Sequence, residues 1–199
     1  MTISTLQTFD NFWVIEDALT SAQCDTLISW WNSQNYKTAS DGSNEIHDSN
    51  YWDTNLLQKQ TIECPIRKTE VIGIPLTTFS FLDTAFNSIF ASVHGSSLTI
   101  EGPTFFNKYV TGNLHSIHTD VTSNYPNRKY VCTIMLSADS DYAGGDLQIH
   151  KYISPDISTA EYMTAPKSRG CAIIYDNRAV HQVTEITSGT RYTINECAG

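Results

Sequence analysis

Apolar positions along the chain fall into two regimes. In the first, Cys24, Leu27, Ile28 and Trp31 return at steps of three and four behind Thr20-Ser21-Ala22-Gln23. That leading tetrapeptide resembles a capping box, and the set predicts a helix. Phe79, Leu82, Phe86, Ile89, Phe90 and Val93 trace a second amphipathic helix, which Gly95 ends. The rest of the first third reads as irregular. Residues 35–55 are polar, with Asp41-Gly42-Ser43-Asn44 as a turn cluster, and read as a long loop that includes Tyr51 and Trp52. A short strand is expected at 70–74, stopped by Gly73 and Pro75.

After Gly95 the period shortens. Candidate strands lie at 98–100, 104–109, 130–136, 146–150, 171–175 and 191–195, with shorter ones near 115–119 and 181–184. Gly112-Asn113, Pro126-Asn127, Gly144-Gly145 and Ser188-Gly189 mark turns between them. Many short strands in about a hundred residues predict a mainly β, α+β protein, with a sandwich or jelly-roll core and helices packed outside. The expected organisation is a single domain over 1–199, with 1–95 as helical and loop support and 96–199 as the β core. The weakly patterned 151–165 and the 35–55 loop are the candidate lids over a substrate, through Tyr51, Trp52, Tyr152 and Tyr162. For any one of these aromatics a loop without a binding role is an equal alternative.

Charge narrows the partners. Twelve basic against 21 acidic side chains leave a formal net charge of −9. Binding to a phosphate backbone by bulk charge needs clustered Lys and Arg, so nucleic acid is disfavoured. The five cysteines are widely spaced without a C-x-x-C pair, which favours reduced thiols over a disulfide framework or zinc knuckle. From Met1 to Ile15 there is neither a basic residue nor a long apolar run, unlike a signal peptide, and no stretch reaches membrane-spanning length. A cytoplasmic protein without a membrane partner is expected.

His118-Thr119-Asp120 puts two metal-capable side chains at i and i+2, one face of an extended strand, and His181 offers a third. Two imidazoles and a carboxylate form the facial set that holds non-haem Fe(II) and leaves positions open. Alone, His-x-Asp reads equally well as a solvated turn. Ten residues after His181, Arg191 and Thr193 share one strand face. A guanidinium inside a barrel is costly without a carboxylate, and a dicarboxylic acid chelating the iron would supply one.

The ordered pattern is Tyr109-x-x-Gly112, His118-x-Asp120, Gly144-Gly145-Asp146-Leu147, Gly170, His181-x-Val183 and Gly189-x-Arg191-Tyr192-Thr193. It resembles the Fe(II)/2-oxoglutarate dioxygenases, nearest to the prolyl 4-hydroxylase-like branch. Ile66-Arg67-Lys68-Thr69-Glu70-Val71 resembles a leading strand of bacterial and phage members, so the resemblance covers roughly 66–195.

The resemblance implies a double-stranded β-helix and an oxidoreductase using Fe(II), 2-oxoglutarate and O₂, with ascorbate as an auxiliary reductant. It implies metal ligation by His118, Asp120 and His181, and capture of the distal 2-oxoglutarate carboxylate by Arg191 with Thr193. Tyr109 would lie against the co-substrate. Arg128 stands near the position of a substrate-contacting arginine, although a strand-edge cation beside Lys129 fits equally. His115 stands where many prolyl hydroxylases carry a tyrosine near substrate, and Met135 where some place a tyrosine for the co-substrate. His47, His94 and His150 are expected not to be ligands. Asp120 favours hydroxylation, since halogenating relatives lack this carboxylate.

The implied reaction is hydroxylation of a peptidyl side chain, first of all proline, in a peptide or protein partner. Other substrates for the same cofactors remain open. Asn107-x-Tyr109 also resembles alkylated-base repair dioxygenases, but those carry a second arginine and none follows Arg191. A jelly-roll binding module without chemistry would have no reason to keep His118, Asp120, His181 and Arg191 together.

Overall fold

A computed structural model describes residues 6–8, 12–34, 59–64, 67–95, 98–151 and 161–199. The expected lid at 35–55, with Tyr51, Trp52 and His47, lies outside these residues, as do Tyr152 and most of 151–165.

Thirteen strands form the frame. They are β1 (Leu6–Thr8), β2 (Phe12–Ile15), β3 (Lys59–Cys64), β4 (Arg67–Ile74), β5 (Thr104–Val110), β6 (Leu114–His118), β7 (Tyr130–Met135), β8 (Tyr142–Gly144), β9 (Leu147–His150), β10 (Tyr162–Thr164), β11 (Ala172–Asp176), β12 (His181–Val183) and β13 (Ile186–Ala198). Among the described residues two α-helices accompany them, α1 (Ser21–Ser33) and α2 (Ser80–His94). The strand order is β1-β2-β11-β7-β13-β5-β4-β6-β12-β9-β10, with β3 on β4 and β8 on β13, and the pairings are antiparallel. The sheet folds over where β6 meets only Arg67 and Lys68 at the start of β4. The short β6-β12-β9-β10 portion thereby faces the longer one across a shared cavity, giving the expected jelly roll with outside helices.

The thirteen-residue β13 is the axis of the core, and its two-residue period sorts two packing layers. One face of its second half carries Tyr192, Ile194 and Ala198. With Phe106, Ile134, Cys132 and Ile174 these join the layer filled by Trp31, Leu27, Phe86 and Phe90 of the helices. Trp31 packs on Phe106 at 4.9 Å between ring centroids, and the Tyr192 hydroxyl reaches Asn32 Oδ1 at 3.2 Å, fastening α1 to the sheet. Each large apolar side chain buried here contributes roughly 1.5–3 kcal/mol of transfer free energy. The opposite face carries Arg191, Thr193, Asn195 and Cys197 toward the cavity.

Both helices end as the sequence implies. Thr20 caps α1, with its hydroxyl accepting from Gln23 N–H and Gln23 Oε1 accepting from Thr20 N–H at 2.9 Å. Gly95 closes α2 with φ +74. In the Gly144-Gly145 turn, a Cβ on Gly144 would stand 2.1 Å from Glu185 O, so the close backbone approach expected of this pair is real.

The irregular reading of the first third needs correction. Phe12-Trp13-Val14-Ile15 is a strand paired to both β1 and β11. It shows no apolar–polar alternation because both faces are covered: Phe12 and Val14 enter the cavity-side layer, Ile15 and Trp13 the helix-side one. At the other end, 98–100 contributes only an isolated bridge from Ile100 to Ala198. The described helices include none long and apolar enough to cross a membrane.

Candidate metal and co-substrate site

His118 ends β6 and His181 begins β12, and the two strands place them directly opposite each other. Asp120 follows β6, held by its own N–H to Asn177 O at 2.9 Å. Asn177 is 6% exposed, and its side chain donates to Arg128 O at 2.7 Å, so a buried turn residue fixes the carboxylate's loop. The three ligand atoms lie within 4.8 Å of one another. His181 Nε2 is 3.2 Å from Asp120 Oδ2, and His118 Nε2 is 3.7 Å from Asp120 Oδ1.

Backbone carbonyls select the imidazole tautomers. His118 Nδ1 is 2.6 Å from Ser116 O, and His181 Nδ1 is 2.9 Å from Ala179 O. A carbonyl only accepts, so each Nδ1 carries a hydrogen, which leaves each Nε2 as the nitrogen that a metal beside Asp120 would take. Two neutral imidazole nitrogens and a carboxylate oxygen fit a divalent iron with positions left open.

Electrostatics fit the same use. Burial pushes His118 down, helped by the neighbouring His181, to about 4. Burial alone would raise Asp120, but the charge and hydrogen bond of His181, with His118 and His115, hold it well below the usual carboxylate range. Burial alone would lower His181, but the Asp120 charge and hydrogen bond raise it. Without a metal the Asp120 carboxylate thus favours the protonated form of His181, so metal binding works against proton binding at that imidazole.

Arg191 stands on the adjoining wall of the cavity. It is 1% exposed, lies opposite Tyr109 in the β13–β5 register, and its guanidinium carbon is 5.3 Å from the Tyr109 ring centroid. Among the described residues no carboxylate pairs with it. Its Nη2 meets Met135 Sδ at 3.6 Å, and its Nε has no hydrogen-bond partner. Nearby, burial raises the Tyr142 phenol, and the adjacent Arg191 guanidinium opposes the rise through its charge and a side-chain hydrogen bond. Thr193, 1% exposed, lines the same cavity two residues on. A buried cation with open donors is an anion receptor, and a carboxylate is the planar acceptor that a guanidinium fork fits.

The sequence-predicted residues His118, Asp120, His181, Arg191, Thr193, Tyr109, His115 and Arg128 all line this one cavity. Two of them sit differently from the rest. His115 and His118 stack at 3.7 Å although three residues apart, because the register slips between His181/His118 and Val183/His115. That bulge turns both imidazoles to one face. Arg128 spends Nε and Nη2 on Glu101 O, at 2.9 and 2.6 Å, and lies over the Tyr125 ring at 3.9 Å. His150 packs on Tyr162 at 5.7 Å, and His94 lies in the last turn of α2. Neither joins the triad.

Sequence reasoning missed several lining residues. Tyr175, 2% exposed, packs on His181 at 4.8 Å between centroids. Asn195 shares a polar contact with Asn107 at 3.3 Å, and Arg67 enters from β4. The inward parity of β13 and β11 could have flagged Asn195 and Tyr175; nothing in the Arg67-Lys68 pair says which cation turns inward.

No family model matches the chain. Over 95 residues it is 32% identical to a PKHD-type hydroxylase of Stenotrophomonas maltophilia, a match covering 45% of this chain and 39% of that protein. Over 85 residues it is 29% identical to a PKHD-type hydroxylase of Acinetobacter baumannii, covering 43% and 30% respectively. The chain thus spans about a third of the length of the curated relatives it matches. Among solved structures, a Pseudomonas putida prolyl-4-hydroxylase superposes with TM-score 0.59 at 13% identity, over 94% of this chain and 91% of that one. A Trichoplax adhaerens prolyl hydroxylase, in complex with a hypoxia inducible factor peptide fragment, gives 0.61 at 14%, over 95% and 83%. The non-heme alpha-ketoglutarate-dependent epimerase SnoN gives 0.67 at 9%, over 95% and 78%. At these identities the structural likeness is one of fold, and the fold serves more than one reaction outcome. The chain thus shares a jelly-roll fold with these structures, carries a His-x-Asp…His triad in its cavity, and is similar over part of its length to PKHD-type hydroxylases.

Proposed function

We propose that the protein is an Fe(II)- and 2-oxoglutarate-dependent dioxygenase that hydroxylates a C–H bond of a peptidyl side chain, proline first, releasing succinate and CO₂. The observation that carries this reading is Arg191: a buried guanidinium without a carboxylate, in the same cavity as a triad whose tautomers suit a divalent metal. A resident dicarboxylate that also binds the metal answers both demands at once.

His118, Asp120 and His181 would hold the iron on one side. When bound, iron and 2-oxoglutarate supply the oxidative chemistry with O₂, and ascorbate would keep the metal reduced. The chain's own residues do the rest. Arg191 grips the distal carboxylate and sets its orientation, with the Thr193 hydroxyl adding a hydrogen bond. Tyr109 walls that end, and Val131, Leu147 and Val183 keep water from the cavity. Met135, where a second tyrosine would give a hydroxyl, leaves Arg191 as the main polar anchor. The cellular setting we propose is the cytoplasm, consistent with Cys24, Cys132, Cys171 and Cys197 being free and buried thiols.

The test is aerobic turnover with Fe(II), 2-oxoglutarate, ascorbate and a panel of proline-containing peptides. Succinate release coupled to one added oxygen on a peptide is expected. Absence of succinate above background would refute the dioxygenase reading, and oxygen found only on free amino acids or nucleotides would refute the peptidyl-proline assignment.

A further inference from the structure

The cavity holds a second guanidinium that the co-substrate leaves unanswered. Arg67 opens β4 directly opposite His115, which stacks on His118. Its Nη2 donates to Asn107 Oδ1 at 2.8 Å, its Nε is buried with no acceptor, and among the described residues no carboxylate pairs with it. Its place opposite His115, which stacks on His118 at 3.7 Å, puts Arg67 on the metal side of the cavity, whereas Arg191 lies opposite Tyr109. The neighbouring Lys68, Glu70 and Lys108 do not line the cavity, and the last two pair with each other at 3.2 Å.

A charge count follows, resting on the proposed cofactors. Fe(II), ionised Asp120, the 2-oxoglutarate dianion and Arg191 together are neutral. Arg128, the other cation of the lining, has Nε and Nη2 committed to the Glu101 carbonyl. Arg67, itself half-buried, therefore remains as a cation held by one amide oxygen in the cavity lining. An unpaired charge so placed is costly, and an incoming anion removes that cost. We infer that Arg67 receives a carboxylate of the prime substrate, next to the C–H bond presented to the metal. This deepens the proposed function by restricting the substrate: an acid at or beside the hydroxylated residue is selected, and its uncharged isostere is not. The residue acting here is Arg67 at the start of β4, not Arg128.

The experiment is calorimetric binding to the full chain loaded with Mn(II) and 2-oxoglutarate, without turnover. Two isosteric pairs serve as probes: N-acetyl-L-proline against its amide, and capped Asp-Pro-Gly against capped Asn-Pro-Gly. In the wild type, the acid of at least one pair should bind ten times tighter or more than its partner. Which pair shows this tells an α-carboxylate from a side-chain carboxylate, and either supports the inference. Arg67→Gln should bring that ratio to within twofold of one while 2-oxoglutarate uptake persists. Should that variant not fold, Arg67→Lys, which keeps the charge but loses the fork, should lower the ratio at least threefold and leave it above one. Equal affinity for acid and amide in the wild type, binding of no probe, or a ratio unchanged by either substitution would overturn it. Uptake of 2-oxoglutarate is checked first. Its absence overturns the dioxygenase reading and the inference with it, whereas uptake with equal affinities overturns the inference alone.

Discussion

Arg191→Met should make the metal-free protein more stable and at the same time unable to hold 2-oxoglutarate. The guanidinium is 1% exposed, its Nε is unpartnered, and its Nη2 meets a thioether sulfur at 3.6 Å. Replacing buried ionic groups by packed apolar side chains of similar volume commonly stabilises by ~1–4 kcal/mol, and here no ion pair is lost in exchange. Methionine suits the space because it is unbranched and the neighbouring Met135 and Tyr109 are apolar. The same change strips the distal carboxylate of its bidentate partner. Leaving one charge of a buried pair alone costs about 3–5 kcal/mol, or roughly 10²- to 10⁴-fold in affinity. Urea denaturation of chelator-treated protein reads the first effect. Calorimetry with Mn(II) and 2-oxoglutarate reads the second. The two shifts have opposite signs, so general damage cannot mimic them. A variant less stable than wild type by 1 kcal/mol or more that still takes up 2-oxoglutarate would refute the reasoning.

Three further outcomes are expected. Glu196 is fully buried on the helix side of β13, accepting from Thr104 Oγ1 and, at 2.9 Å, from Cys197 N–H; burial raises its carboxyl from 4.5 to about 7 against these hydrogen bonds. The folded state thus keeps a proton that the unfolded state has lost, so stability is fullest below pH 4.5 and falls by roughly 3 kcal/mol as pH rises to about 7. Glu196→Gln should remove that slope and be the more stable form above pH 7 in pH-stepped denaturation; parallel profiles would contradict it. Mn(II) affinity should fall about tenfold per pH unit below the raised pKa of His181 and level off above it, because one proton must leave, while His118, at about 4, does not compete near neutrality. A profile flat through the neutral range would contradict this competition between proton and metal. Gly145→Ala, at φ +62 with the new Cβ 2.1 Å from Ile186 Cδ1 and 3.2 Å from Arg191 Cδ, should cost about 1–2 kcal/mol and weaken 2-oxoglutarate binding. Unchanged affinity would show that Arg191 is not positioned from that side.

Much of the frame is legible because the periods are clean. The helical steps from Cys24 to Trp31 and from Phe79 to Val93 lie where α1 and α2 form, and Thr20 and Gly95 set their ends. His118-x-Asp120 and Arg191-x-Thr193 are i, i+2 pairs at or in expected strands, so their shared faces can be named from parity. What escapes needs tertiary information. Phe12–Ile15 hides as an unpatterned apolar run because both faces are covered. The His115–His118 stack depends on a bulge that no local propensity marks. Arg128 looks free until Glu101 O is found beside it, 27 residues back in the chain. Arg67 and Lys68 are adjacent cations, and only the fold of the sheet decides that Arg67 turns toward the metal ligands. Asn177 acts through backbone groups of residues far away in sequence, which composition does not reveal.

The account stands most directly on whether the triad and Arg191 take up metal and dicarboxylate as a unit. Anaerobic titration of the protein with Fe(II) and 2-oxoglutarate, followed by visible absorption, measures this. A metal-to-ligand charge-transfer band that saturates at one equivalent of each, and is lost in His181→Ala, is the predicted result. Absence of the band with both present, or its persistence without His181, would contradict it.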